Sequence, residues 1–251
     1  MFALAWAAVC SPLAAQQAAQ PVSQGNPATV TSGQHIQGVI GSPYTADLVT
    51  VTTQTLADGT KITHKQLVKV FQDSQGRTRR EYFDPGVEVV GPDDLPRAVR
   101  INAGAVVYTL RPRDRTAQRE EVSRNPPSLS RTPGASANAA PARPAVPQPT
   151  REELGTQVIE GLEARGERIT RIIPEGAEGN DQPMRNISEY WWSVKPRLLL
   201  LSVTNDPRYG ETVTRLTNLV LDEPSPDLFE VPPDYTLQEL QPVAKPTSPA
   251  D

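Results

Sequence analysis

The chain has almost no cysteine and almost no histidine, and both shortages narrow what it can do. Cys10 is the sole cysteine in 251 residues, and it lies inside an apolar opening stretch, "MFALAWAAVCSPLAA". Once that stretch is lost, no thiol remains, which excludes a disulfide, a cysteine zinc site and thiol catalysis. The two histidines, His35 and His64, stand far apart in polar surroundings. Metal sites need several converging ligands, and a Ser-His-Asp relay needs a histidine held in place; neither pattern is visible. No G-x-S-x-G elbow and no phosphate-cradling glycine loop occurs. Positive charge is not in excess either: 25 Lys and Arg face 29 Asp and Glu, for a net charge of −4. Arginine outnumbers lysine 20 to 5, but the arginines are dispersed, so nucleic acid is not the expected partner. No later apolar run approaches the roughly 20 residues of a membrane span.

Proline and glycine are plentiful, 26 and 16 residues, and they oppose long helices. Runs rich in Thr, Val and Ile favour strands instead. The opening stretch, 1–15, reads as an export signal that ends on the small-residue step Leu13-Ala14-Ala15. It lacks a basic start, the first Lys or Arg being Lys61, so the true start is expected upstream. Acylation of Cys10 is disfavoured by Val9, which stands where a small residue belongs. Residues 16–40 form a Gln/Ala/Ser/Gly leader without a period, expected to be disordered.

From 41 to 236 a single β-rich domain is expected, interrupted by a disordered Pro/Ala insertion at 125–150 and followed by a loose tail, 237–251. In the insertion, 7 of 26 residues are proline and 6 alanine, with little to bury. The first half reads as a meander of six short strands punctuated by turns. Its clearest hairpin joins "ADLVTVTTQTL" to "KITHKQLVKVFQD" through the Asp58-Gly59 turn. The second half holds four or five strands; its opening, 151–161, could begin a helical turn, although Gly155, Gly161 and Gly166 oppose a long helix. The core of about 170 residues is large enough to bury about 70% of its unfolded surface.

The most informative stretch is "SEYWWSVKPRLLLLSV", 188–203. Side chains alternate along a strand. Tyr190, Trp192 and Val194 then share one face, and Trp191 lies on the other. Beyond Pro196, Leu198 and Leu200 face one way, Leu199 and Leu201 the opposite way. Apolar residues on both faces need a cover: a second sheet, a helix or a ligand.

The end of the chain adds a pattern. "SEYWWSVKPRLLLLSVTNDPRYGETVTRLTNLVLDEPSPDLFEVPPDYT" runs from aromatic strand through tight break, apolar strand, turn and alternating strand to a proline-bracketed cap. Earlier, "RINAGAVVYTLRPRDRTAQ" gives strand, turn, Tyr-bearing strand and turn. This resembles the LolA/LolB-like exported proteins, half-open β-barrels that carry lipoprotein acyl chains in the bacterial envelope. "DSQGRTRREYF" and "DLFEVPPDYT" also resemble a group of uncharacterised secreted bacterial proteins of the same layout. The resemblance covers roughly 43–124 and 151–236. It departs from the carriers in its Pro/Ala insertion and its lack of clear lid helices. It implies a mainly β fold, a curved antiparallel sheet or half-open β-barrel with one or two short helices, in a periplasmic or extracellular protein.

Other clusters carry weaker expectations. Asp93-Asp94 in "GPDDLP" reads as a solvated turn. Glu175, Glu178, Asn180 and Asp181 supply oxygens without the calcium-loop spacing. Arg77, Arg79 and Arg80 either meet an anionic headgroup or pair with nearby acids such as Glu81. Asn186-Ile187-Ser188 is a formal glycosylation sequon inside an aromatic strand.

The expectation is therefore a non-enzymatic envelope protein with no metal and no cofactor. It binds a lipid, acyl chain or other apolar ligand on the concave face of its sheet, with Trp191, Trp192, Leu199 and Leu201 contributing to the lining. The alternative is a structural or sensory domain with a fully packed sheet that contacts another envelope protein.

Overall fold

The Asp58-Gly59 turn closes the first hairpin in the computed structural model, which describes residues 42–91, 93–122 and 147–239. Strands β1 (Tyr44–Thr55) and β2 (Lys61–Gln72) flank it, and Thr60 N donates to Asp58 Oδ1 at 2.9 Å. The chain then runs through β3 (Thr78–Tyr82), a longer loop at 83–97, β4 (Ala98–Asn102), β5 (Val106–Arg111) and β6 (Thr116–Glu121), the other links being short turns. This is the expected six-strand meander.

The second half holds β7 (Thr150–Ile159), β8 (Leu162–Ile173), β9 (Met184–Ser193), β10 (Leu199–Asp206), β11 (Gly210–Val220) and β12 (Thr236–Glu239). Two of these go beyond the sequence reading. Residues 151–161 form no helical turn: they run as β7 into a two-residue turn, Glu160-Gly161, both at positive φ, and return as β8. That is the turn geometry which matches strand twist in a hairpin. Where 237–251 were expected as a tail, Thr236–Glu239 form β12. The export signal, the leader, 125–146 of the insertion and 240–251 lie outside the described residues.

The described residues belong to one compact unit. All twelve strands join one sheet in the order β12-β6-β5-β4-β3-β2-β1-β11-β10-β9-β8-β7. Every pairing is antiparallel except β12 on β6. The end strands β7 and β12 do not meet, so the sheet stays open. The crossover segment 221–235 carries the chain from β11 to the edge where β12 lies parallel to β6. This is the expected proline-bracketed cap, with a single helical element among the described residues, the 3-10 turn Pro226–Phe229.

The crossover packs on one half of the sheet. Phe229 is buried with Val99, Ile101, Leu110 and Ala117, flanked by Leu228, Val231 and Tyr235. Arg77 stacks over the Phe229 ring at 4.9 Å and pairs with Asp73 at 2.6 Å, while Arg79 Nη1 donates to Leu228 O at 3.0 Å. A second core gathers Tyr44, Ala46, Val68, Val70, Ala164, Leu198, Leu200 and Leu216. Leu198 and Leu200 are completely buried and Leu199 nearly so, which makes most of the leucine run core.

Candidate functional site

Cross-strand register sorts the centre of the sheet into two chemically different faces. On the first, Thr50 pairs with Thr214 and Thr52 with Thr212, each hydroxyl pair 3.2 Å apart. Thr204 Oγ1 donates to Ser188 Oγ at 3.4 Å on the same side. His64, opposite Thr52, extends this row and is exposed. This threonine face is a ladder of hydroxyls that satisfy one another across strands, and it runs on through Leu48 and Leu216 into the second core.

The opposite face carries an apolar patch. Val51, Val213 and Val203 stand in one cross-strand row on β1, β11 and β10. The next row runs Val49, Arg215, Leu201, Trp191 and Gly166 across β1, β11, β10, β9 and β8. Six side chains, Val49, Val51, Val203, Val213, Leu201 and Trp191, thus form a contiguous patch on four neighbouring strands. All six are half-buried. Adjacent strands are about 4.8 Å apart, so the patch is about 14 Å wide.

Trp191 anchors one end. It packs against the second core and lies across Gly166, whose absent Cβ would sit 2.7 Å from the indole ring. Only a residue without a side chain lets the ring lie flat over β8.

The valine row continues into charge. Glu189 is opposite Val203, Arg168 opposite Glu189, and Glu152 opposite Arg168. Arg168 bridges both acids, Nε to Glu189 Oε1 at 2.8 Å and Nη1 to Glu152 Oε2 at 2.9 Å. These two bonds, Glu189 first, hold the guanidinium above its usual pKa. The chain of charges forms part of a half-open hollow of about 350 Å³, which Val203, Arg185 and Glu211 also border. The apolar patch therefore has a polar hollow at its margin.

The four residues expected to line a ligand site do not share a face. Trp192 is the Cα partner of Leu199, and Trp191 that of Leu201. Simple alternation puts Leu199 and Leu201 together, but the β10–β9 register shifts between them and sends them to opposite sides. Leu201 and Trp191 belong to the valine face. Leu199 is only 4% exposed, and Trp192 is stacked by Arg197 at 5.2 Å on the other side. Sequence reasoning missed the valines, whose signal is the β-branched alternation of "LVTVTT", "LSVTN" and "TVTRLT".

The remaining clusters are structural. Arg79 pairs with Glu81 at 2.7 Å and Arg77 with Asp73, so both serve the crossover. Asp94 Oδ2 accepts from Gly91 N at 2.7 Å, within a turn. Asn180 accepts from Glu178 N and donates to Pro174 O and Gln182 O, closing its own loop. Asn186 Nδ2 donates to Asp206 Oδ2 at 2.6 Å. Among the described residues no three His, Cys, Asp or Glu side chains are grouped to hold a metal, and no helix is long and apolar enough to cross a membrane.

No family model matches this chain, and no curated protein matches it. Solved structures do. An uncharacterised conserved protein from Thermus thermophilus is 10% identical over 80% of this chain and 92% of its own, with a TM-score of 0.44. The MucA/MucB complex of Pseudomonas aeruginosa is 14% identical over 80% of this chain and 59% of the matched chain, TM-score 0.41. A LolA superfamily protein, NE2245 from Nitrosomonas europaea, is 11% identical over 77% of this chain and 92% of its own, TM-score 0.31. The half-open-barrel group expected from the turn-and-cap pattern is thus among the structural neighbours. The likeness is one of layout.

Proposed function

We propose that this chain is an exported binding protein, not an enzyme, and that it holds an apolar or amphiphilic ligand on its valine face. The observation that carries this reading is the half-buried apolar patch. Among the described residues no helix or second sheet lies over β1, β11, β10 or β9, yet six apolar side chains are gathered there. Burying a large apolar side chain yields about 1.5–3 kcal/mol, so completing the burial of six half-covered ones is a substantial driving force. Contiguous apolar patches that solvent still reaches mark binding surfaces. The charged groups at its margin support binding over catalysis, because Arg168 is already committed to two carboxylates. Export is read from the apolar stretch that ends at Leu13-Ala14-Ala15.

Native mass spectrometry on the full chain, purified without detergent from an envelope extract, tests this. Extra mass that proves to be lipid and is lost on denaturation is the expected result. Val213→Asp, between Val51 and Val203, places a charge within the patch and should abolish the adduct while leaving the circular dichroism of the sheet in place. A clean apo mass, with no uptake of added fatty acid, overturns the reading.

One observation favours a second reading, a protein-interaction domain. β7 is a ten-residue edge strand, exposed along most of its length, and its outer N–H and C=O groups suit an extended segment of a partner. The same clean apo mass would favour it.

A further inference from the structure

Arg215 stands where an apolar patch should have no charge. Its Cα partners are Val49 on β1 and Leu201 on β10, and Val213 precedes it on the same face of β11. It is exposed, and among the described residues it makes no ion pair, hydrogen bond or ring contact. The other cations of this face lie off the patch. Lys65 pairs with Glu88, Arg168 with Glu152 and Glu189, and Lys69 stands opposite Asp47 on β2, two strands from Arg215. Arg185 borders the hollow, six residues along β9 from Trp191, about 20 Å at the strand rise. The carboxylates near Arg215 are also accounted for. Asp47 accepts from Asn218 Nδ2 at 2.8 Å, and Glu211 lies four residues along β11, about 13 Å away.

Resting on the proposed binding function, we infer that the ligand is a single-chain amphiphile with an anionic oxygen head, a carboxylate or a phosphate. The head pairs with the Arg215 guanidinium, and the chain lies over Leu201, Val203 and Trp191. A guanidinium presents two parallel N–H donors that match such heads in a bidentate pair. A chain laid over the patch excludes water from around that pair, which strengthens it. The stem of Arg215 adds apolar surface to the patch while its head stays available. The free arginine and the half-buried valines then have one explanation: each completes the other only when such a ligand is bound.

Three probes sharing a dodecyl chain test this on the full chain by titration calorimetry below their micelle concentrations: dodecanoate, dodecyl phosphate and dodecyl maltoside. The wild type is expected to prefer one or both anionic probes, and added salt should weaken those alone. Arg215→Gln should weaken the anionic probes about 10- to 100-fold and leave dodecyl maltoside unchanged, which also shows that the sheet is intact. Arg215→Lys should recover part of the loss, since it keeps charge but not the fork. The ratio of the two anionic affinities tells carboxylate from phosphate. Equal binding of all three probes, or an equal loss of all three in Arg215→Gln, overturns the inference while leaving the apolar patch standing. Failure of every probe to bind overturns both.

Discussion

Replacing Gly210 with alanine is expected to cost about 3 kcal/mol of stability, far more than alanine at most turn glycines. Gly210 opens β11 with a φ of +89°, and a Cβ built there would lie 2.2 Å from the carbonyl oxygen of Thr53. Both partners in that clash are main chain, so no rotamer relieves it. Relief requires β11 to move away from β1, and those two strands carry Val213, Val51, Val49 and Arg215. Gly59 provides the control. Its φ is +86°, but nothing lies within 4 Å of its missing Cβ. Gly59→Ala should therefore cost only the conformational preference, about 1 kcal/mol. Urea unfolding of the two variants beside the wild type measures the difference. Equal midpoints would mean that the approach of Gly210 to β1 is not a tight one.

Asp206 closes the same β10–β11 hairpin and gives it a pH dependence. Its Oδ1 accepts from Arg208 N at 3.0 Å and Arg208 Nε at 2.9 Å, and its Oδ2 from Arg208 Nη2 at 2.8 Å and from Asn186. These bonds, the Arg208 side chain first, outweigh burial and pull the carboxyl pKa down from 3.8 to about 2. A folded pKa below the unfolded one means stability that is fully present above about pH 4. It is lost as pH falls toward 2. The linked contribution is about 2 kcal/mol. Asp206→Asn is expected to lower stability by about that amount at neutral pH and to converge on the wild type near pH 2. Urea midpoints taken between pH 7 and pH 2 measure it. A constant gap between the two proteins across that range would rule out the carboxylate as the source.

What could be read from the sequence follows from how local each signal is. Apart from the 83–97 loop, the first six strands are bounded by turns that carry their own chemistry. Gly76 N donates to Asp73 O, Gly104 N to Asn102 Oδ1, and Asp114 N to Arg111 O, all between near neighbours. Such turns are visible in a few residues. β7 was hidden because its glutamates and bulge at Leu154-Gly155 blur strand alternation, and only pairing with β8 fixes it. β12 was hidden more completely. Its four residues are all exposed, and it becomes a strand only by lying parallel to β6, more than a hundred residues earlier. No local pattern encodes such a contact.

The candidate site shows the same division. Alternation along β9 separated Trp191 from Trp192 without help, because that strand is regular there. It failed on β10, where a one-residue shift decides which leucine joins which tryptophan. The valine row was absent from the sequence reading because its members come from β1, β10 and β11, unremarkable singly and aligned only by register.

A ligand is expected on the valine face and not on the threonine face, and the two adjacent tryptophans can report which. Of the three tryptophans, Trp191 is on the valine face and Trp192 on the other. Single-tryptophan proteins are made with Trp6→Phe and either Trp192→Phe or Trp191→Phe, and each is titrated with dodecyl maltoside brominated at the end of its chain. Bromine quenches indole fluorescence at contact, and the neutral head makes the result independent of Arg215. Quenching of Trp191 with Trp192 unaffected is the predicted result. Equal quenching of both, or quenching of Trp192 alone, would contradict it.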